Sequence, residues 1–161
     1  MRKISALLLS VLFLVSIFVF PVNASVVDGD ENGYEIEYLD NGDYIITYIE
    51  DDEIIEPDDG SKSTTVTKTK TSKYKNSAGA TMWYIKVQGT FTYNGTTSTC
   101  NSAAHKAAAI GSTWSIISAS HSKSGNKATA TATARHSSGG GVYSDYTRSV
   151  TLKCSATGVF S

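Results

Sequence analysis

The chain has 161 residues and a formal net charge of −1, and 18% of its residues are charged. It contains two prolines, thirteen glycines and nine tyrosines among many serines and threonines, a composition that favours strands and turns and disfavours a helical domain. Removal of a 24-residue leader would leave about 137 residues, enough for one domain with its own core and an appendage.

The first 24 residues predict a signal peptide. A basic start, MRK, precedes an uncharged apolar stretch at residues 4–20, and Val22-Asn23-Ala24 then provides a small-residue cleavage site. An uncleaved membrane anchor is the alternative, because the apolar stretch is near the lower length limit for a span. Pro21 and the V-x-A triplet favour removal. We therefore expect secretion, with the protein extracellular or loosely associated with the cell wall and without a membrane span.

Charge is divided at Gly60. Residues 25–60 contain fourteen Asp and Glu and no Lys or Arg, whereas residues 61–161 contain twelve Lys and Arg and one acid, Asp145. The two parts therefore carry about −14 and +11, an asymmetry typical of acidic or basic interaction segments. We predict a signal peptide at 1–24, an acidic segment at 25–60 and a basic domain at 61–161.

The acidic segment predicts a β-hairpin. Residues 34–39 (YEIEYL) and 44–49 (YIITYI) are strand-like, and Asn41-Gly42 between them is a strong hairpin signal. A two-residue loop would place Tyr34, Ile36 and Tyr38 on one face with Ile45, Thr47 and Ile49. Because an isolated hairpin is only marginally stable, we expect it to dock on the basic domain as a pro-segment or built-in shield.

A calcium-loop pattern begins in this segment but is not completed. Asp28, Asp30, Asn32 and Gly33 match its D-x-D-x-N-G start, whereas the twelfth position, which requires a bidentate Glu, is Leu39. An acidic turn is the simpler interpretation, and no metal site is predicted.

The first strands of the basic domain follow a period of two. Residues 83–93 (WYIKVQGTFTY) place Trp83, Ile85, Val87, Phe91 and Tyr93 on one inner face. Gly89 falls on the same face and indicates a bulge or a close approach. Asn94-Gly95 predicts a turn into residues 96–100, and the alanines of residues 101–110 (NSAAHKAAAI) predict one helical turn or a loop.

A second hairpin pairs residues 114–122 with 127–136 (KATATATARH). Inward-facing Ala128, Ala130, Ala132 and Ala134 would make a shallow surface on which bulky groups of an opposing sheet, such as Trp83 and Trp114, can close without overpacking. The threonines then suit the solvated face. The last strand places Val150, Leu152 and Cys154 inward. Together these elements predict an all-β fold, an antiparallel β-sandwich with immunoglobulin-like layering and an N-terminal acidic hairpin.

Export places both cysteines in an oxidising compartment, so we expect a disulfide between Cys100 and Cys154 that joins the last strand to the middle of the fold. Neither cysteine belongs to a CxxC pair or has a histidine at ligand spacing, which argues against metal or redox chemistry.

Four stretches, YLDNGDYI, YKNSAGATMWYIKVQGTFTYNGTTSTC, SKSGNKATATATA and SVTLKCSATG, carry a resemblance to a family of small secreted proteins from Gram-positive bacteria, of uncharacterised function. The resemblance covers nearly all of the exported chain. It implies export and a compact β domain that contains the two cysteines, and it supplies no catalytic residues.

No catalytic or cofactor site is predicted. Paired carboxylates, a phosphate loop and a zinc triad are absent from the sequence, and His105, His121 and His136 are each interpreted as solvated loop or strand-end residues. We expect a non-catalytic extracellular binding or structural module whose basic residues contact an anionic polymer of the cell envelope. The candidate surface comprises Lys68, Lys70, Lys86, Lys127, Arg135, Arg148 and Lys153.

Two alternatives stay open. One is a secreted, bacteriocin-like antagonist that its acidic segment keeps inert. The other is that the basic residues form an ordinary solvated surface, neutralised by acids of the same chain. Nucleic acid is not an expected partner, because the sequence contains no recognition helix or RNA-binding motif.

Overall fold

The computed structural model describes residues 25–27, 33–50 and 63–161, and its side chains are described for the last two ranges. The predicted signal peptide, the start of the calcium-like pattern at residues 28–32 and the predicted domain boundary after residue 60 lie outside these residues. Among the residues described, no helix is long and apolar enough to span a membrane.

In the part of the chain that the structure describes, nine antiparallel strands form two sheets, which confirms the predicted all-β sandwich. The strands are β1 (Ser25–Val27), β2 (Glu35–Tyr38), β3 (Tyr44–Glu50), β4 (Thr64–Lys75), β5 (Thr81–Tyr93), β6 (Ser98–Ala109), β7 (Trp114–Ser124), β8 (Lys127–Ser137) and β9 (Tyr143–Lys153). The larger sheet has the order β1-β2-β3-β4-β5-β6 and the smaller sheet the order β7-β8-β9. Each of these nine described strands therefore pairs only with strands next to it in the chain.

The core lies between the β5 side of the larger sheet and the alanine row of β8. Ala128, Ala130, Ala132 and Ala134 have no exposed surface, which confirms their predicted inward orientation. A Cβ atom added at Gly89 would lie 2.5 Å from Phe91 Cε2 and 3.0 Å from Ala128 Cβ. The sheets therefore approach closely here, because β5 has no side chain at Gly89 and β8 has only methyl groups.

Trp83 lies in the larger sheet opposite the alanine row, as predicted, but Trp114 does not. Trp114 belongs to β7, whose neighbour in the smaller sheet is β8, and it pairs in register with His136. It packs at the end of the sandwich against Tyr74 and Tyr146, with ring centroids 5.1 Å away in both cases.

The prediction of a helical turn or loop at residues 101–110 is wrong. Strand β6 runs through residue 109 and pairs with β5 from Tyr93↔Ser98 to Trp83↔Ala109. The helix preference of alanine is below about 1 kcal/mol per residue, so burial and a neighbouring strand outweigh it. Ala103, Ala107 and Ala109 pack against the core on the inner face of β6.

The predicted register of the acidic hairpin is also wrong. Tyr38 pairs with Tyr44 and Ile36 with Ile46, which leaves a five-residue connection at residues 39–43. Asp43 N donates to Asn41 Oδ1 at 3.1 Å and Leu39 N donates to Asp43 O at 2.9 Å, so the asparagine stabilises a longer turn. Because a one-residue slip reverses every side chain of a strand, Glu35 and Glu37 occupy the inner face instead of Tyr34, Ile36 and Tyr38.

The predicted disulfide is not present. Cys100 and Cys154 are free, buried thiols, and each donates to a backbone carbonyl, Ser102 O at 3.2 Å and Ser155 O at 3.3 Å. Burial raises the pKa of both thiols, which keeps them protonated and poorly nucleophilic.

Candidate functional site

The structure distributes the seven predicted basic residues over four faces, the inner and the outer face of each sheet. Lys68 and Lys70 lie on the inner face of β4, opposite Gly89 and Val87 of β5, and Arg148 lies on the inner face of β9 opposite Ala132. Lys86 is on the outer face of the larger sheet, whereas Lys127, Arg135 and Lys153 share the outer face of the smaller sheet. The structure therefore does not gather the seven residues into one surface.

Among the described residues, three of the seven pair with carboxylates of the acidic hairpin. Arg148 Nη1 lies 2.6 Å from Glu37 Oε2, Lys86 Nζ lies 2.5 Å from Glu50 Oε1 and Lys70 Nζ lies 3.6 Å from Glu35 Oε1. Strand β3 also pairs with β4 along its whole length, from Tyr44↔Lys75 to Glu50↔Thr69. The hairpin thus extends the larger sheet and neutralises part of the basic domain.

The Glu50–Lys86 pair is held tightly enough to shift the pKa of both side chains. Burial by itself raises the pKa of Glu50, but hydrogen bonds from Lys86 and Thr71 outweigh burial and lower that pKa below its ordinary value. The hydrogen bond to Glu50 raises the pKa of Lys86. Each partner therefore favours the charged form of the other.

The outer face of the smaller sheet carries a regular array of hydroxyl groups. Three rows of three aligned residues form it, and we call them the hydroxyl face: Ser118, Thr133 and Thr147; Ser120, Thr131 and Ser149; Ser122, Thr129 and Thr151. Within each row the β8 and β9 hydroxyls are hydrogen-bonded, at 2.9, 2.7 and 2.9 Å. The threonines of the KATATATARH stretch therefore face outward, as predicted.

Charged residues border the hydroxyl face at both ends. Lys127 and Lys153 lie directly opposite each other at one end, and both are exposed. At the other end Arg135 forms two hydrogen bonds to Asp145, at 2.7 and 2.8 Å, which lower the pKa of that carboxyl. Within residues 33–50 and 63–161, neither Lys127 nor Lys153 has an ion-pair partner.

A pocket of about 510 Å³, which we call the hairpin pocket, lies where the hairpin meets β9. Its lining is Glu37, Leu39, Asp40, Asn41, Ile45, Tyr74, Trp83, Asp145, Tyr146, Thr147 and Arg148. Tyr74 stacks on Trp83 with a centroid distance of 6.3 Å and meets the edge of Tyr146 at 5.6 Å. The pocket therefore combines aromatic walls with a few polar and charged groups, as small-molecule sites do.

The sequence does not predict the hairpin pocket. The predicted two-residue loop places Glu37 on the opposite face of the hairpin, so no carboxylate is expected near Arg148. The signal that could have found the correct register is Asp43, whose carboxylate accepts hydrogen bonds from Tyr74 Oη at 2.6 Å and Ser77 N at 3.0 Å. These contacts fix the loop on the basic domain.

All three histidines lie in strands and not in loops. His105 and His121 extend from β6 and β7 and bring their Nδ1 atoms to 2.7 Å, a hydrogen bond that joins the two sheets. His136 stacks on Trp114 with a centroid distance of 4.7 Å. Among the described residues, no group of three or more His, Cys, Asp or Glu side chains is arranged to hold a metal ion.

Comparison of the chain with models of known protein families, with curated proteins and with solved structures finds no match. The resemblance to a family of secreted Gram-positive proteins stays a prediction.

Proposed function

We propose that the protein is a secreted, non-catalytic binding module whose hydroxyl face contacts an anionic polymer of the cell envelope. The supporting observation is the position of Lys127 and Lys153, directly opposite each other on neighbouring strands. Like charges at such positions destabilise a sheet, and an anionic group bound between the two ammonium groups offsets that repulsion.

The neighbouring hydroxyls suit the same partner. Ser122, Thr129 and Thr151 form the row next to the two lysines. A hydroxyl can donate to a phosphate or carboxylate oxygen and also accept from a polymer hydroxyl. A flat array with charge at its end therefore matches an extended, repeating polymer better than it matches a compact ligand.

The antagonist alternative receives less support from the hairpin packing. Ile45 and Thr47 of β3 are buried, and Ile45 belongs to the main core cluster. A segment that contributes to the core and pairs along a whole strand is poorly suited to removal. Intact mass and N-terminal sequencing of the secreted protein test this point: we expect a chain that begins near residue 25, and a chain that begins near residue 61 would favour the antagonist.

The binding proposal is tested with immobilised linear polyphosphate and with washed Gram-positive cell walls. The double variant Lys127→Gln/Lys153→Gln should bind about tenfold more weakly and with a shallower salt dependence, because fewer polymer charges are neutralised. Lys73→Gln/Lys106→Gln removes the same charge from the outer face of the larger sheet and serves as the matched control. Equal losses in both variants, or no binding by the unmodified protein, would reject the hydroxyl face as the contact surface.

A further inference from the structure

We infer that the hairpin pocket is a second binding site, and that its ligand is an uncharged saccharide unit. The pocket opens between the hairpin loop and β9, and of the hydroxyl face and its border it shares only Thr147 and Asp145. The inference therefore concerns a different site and goes beyond the proposed function. It depends on three properties of the pocket: its size, its unpaired hydrogen-bonding groups and its charge.

The size and walls of the pocket fit one or two sugar rings. Its volume of about 510 Å³ lies within the range of about 300–1,000 Å³ that is usual for small-molecule sites. Tyr74, Trp83 and Tyr146 provide aromatic surface, and Leu39 and Ile45 complete the apolar lining. The C–H face of a pyranose ring can pack on such aromatic surface while its hydroxyls remain free for polar contacts.

Two buried donors in the pocket lining have no acceptor among the described residues. Trp83 is 2% exposed, and its Nε1 donates to no described atom. Arg148 Nε is likewise unpaired, although its Nη1 group is held by Glu37 at 2.6 Å. Because a buried donor without a partner is costly, each of these groups favours a ligand that brings an acceptor.

The charge of the lining argues against an ionic ligand. Glu37 is paired with Arg148 and Asp145 with Arg135, so Asp40 is the charge left over, and the formal balance of −1 disfavours an anion. A cation fits that charge but leaves the Trp83 and Arg148 donors without acceptors. The carboxylate of Asp40 has no hydrogen-bond or ion-pair partner in the part of the chain that the structure describes.

A neutral polyol resolves both requirements. One sugar hydroxyl can accept from Trp83 Nε1 or Arg148 Nε, and another can donate to Asp40. A saccharide supplies donors, acceptors and an apolar ring face without a net charge. The structure thus assigns the binding groups as Trp83, Arg148 and Asp40.

The test follows indole N–H resonances in ¹H–¹⁵N spectra of the secreted chain. The protein has two tryptophans, so Trp83 and Trp114 give two such signals, and Trp83→Phe identifies the first by its loss. Maltose, cellobiose, lactose and chitobiose are titrated separately to about 50 mM, which detects dissociation constants in the millimolar range. We expect at least one of them to shift the Trp83 signal saturably and more than the Trp114 signal.

Variants then assign the contacts. Arg148→Lys keeps the charge beside Glu37 but removes the Nε donor, so affinity for the active disaccharide should fall about fivefold to tenfold. Tyr84→Phe changes the next residue of β5, on the opposite face, and should leave affinity within about twofold. Thermal melting of each variant separates a loss of binding from a loss of folding.

Three outcomes would overturn the inference: no saturable shift with any of the four sugars, unchanged affinity in folded Arg148→Lys, or a Trp83 shift with tetramethylammonium in place of the sugars. The last result would assign the pocket to cations. Polyphosphate is titrated into the same unmodified protein as a separate sample. Failure of sugar binding is therefore distinguishable from failure of the proposed polymer contact.

Discussion

Tyr74 joins three parts of the molecule. It is 3% exposed, its ring packs against Trp83, Trp114 and Tyr146, and its hydroxyl donates to Asp43 of the hairpin loop at 2.6 Å. Burial, followed by the hydrogen bond to Asp43, raises the pKa of Tyr74 to about 12. The neutral hydroxyl is therefore the form that the folded protein stabilises.

This pKa predicts a loss of stability in alkali. The unfolded tyrosine ionises near pH 10 and the folded one near pH 12, so the contribution of Tyr74 is complete below about pH 10 and disappears as the pH rises to about 12. Urea unfolding of the wild type and Tyr74→Phe between pH 8 and about 12 measures it. The wild type should lose stability more steeply than the variant in that window, and Tyr143→Phe, which removes an exposed tyrosine, should retain the wild-type slope. Parallel curves for all three proteins would contradict the prediction.

For individual residues, the sequence predicts which face of a strand a side chain occupies better than it predicts which distant residue that side chain contacts. The strict alternation of Ala and Thr in β8 correctly assigns which side chains face the core, because the period of a strand is two. The same logic places Gly89 on the inner face. It cannot identify the partner of Tyr74, because residue 43 approaches residue 74 only after β3 has paired with β4.

Among the elements, the hairpin shows that the length of one loop determines which side chains line the hairpin pocket. Asn41-Gly42 correctly predicts that the chain reverses, but the loop length depends on Asp43, which bonds to residues outside the hairpin. The resulting register turns Glu35 and Glu37 toward the inner face. Strand β6 gives a second example. The alanines of residues 101–110 favour a helical turn, and pairing with the neighbouring β5 makes them part of a strand.

The two glutamates provide a matched pair for a prediction. Both project from β2 onto the same face, but Glu37 is 24% exposed and lies 2.6 Å from Arg148, whereas Glu35 is 63% exposed and lies 3.6 Å from Lys70. Glu37→Gln should lower the free energy of unfolding by about 1–2 kcal/mol, because it leaves a half-buried guanidinium without its counter-charge. Glu35→Gln should cost less than about 0.5 kcal/mol.

Chemical denaturation at pH 7 measures both effects. The loss in Glu37→Gln should diminish when Arg148 is also changed to Met, since the unpaired charge is then absent. Equal destabilisation by the two single substitutions would mean that Arg148–Glu37 does not anchor the hairpin and that backbone pairing between β3 and β4 does so alone.

In the whole molecule, the acidic and basic parts of the sequence meet as ion pairs between the hairpin and the basic domain. The halves of about −14 and +11 are predictable from composition, and so is the tendency of the hairpin to dock. Composition could not show which basic residues the hairpin would neutralise. That selection follows from strand order: Lys70 and Lys86 lie on strands close to β3, and β9 brings Arg148 to the open end of the sandwich.

The same contacts predict that salt acts in opposite directions on the full and shortened chains. Deletion of residues 25–60 removes β3 and its buried Ile45, so the free energy of unfolding should fall by at least about 2 kcal/mol. The remaining chain carries about +11, and raising NaCl from about 50 to 500 mM should stabilise it by screening self-repulsion. In the chain from residue 25 onward, which carries about −3, the same salt screens attraction between the hairpin and the basic domain, so stability should stay constant or fall.

The urea midpoints of both chains at the two salt concentrations test this prediction. An unchanged midpoint after the deletion, with the same response to salt in both chains, would show that the acidic segment neither supports nor neutralises the basic domain.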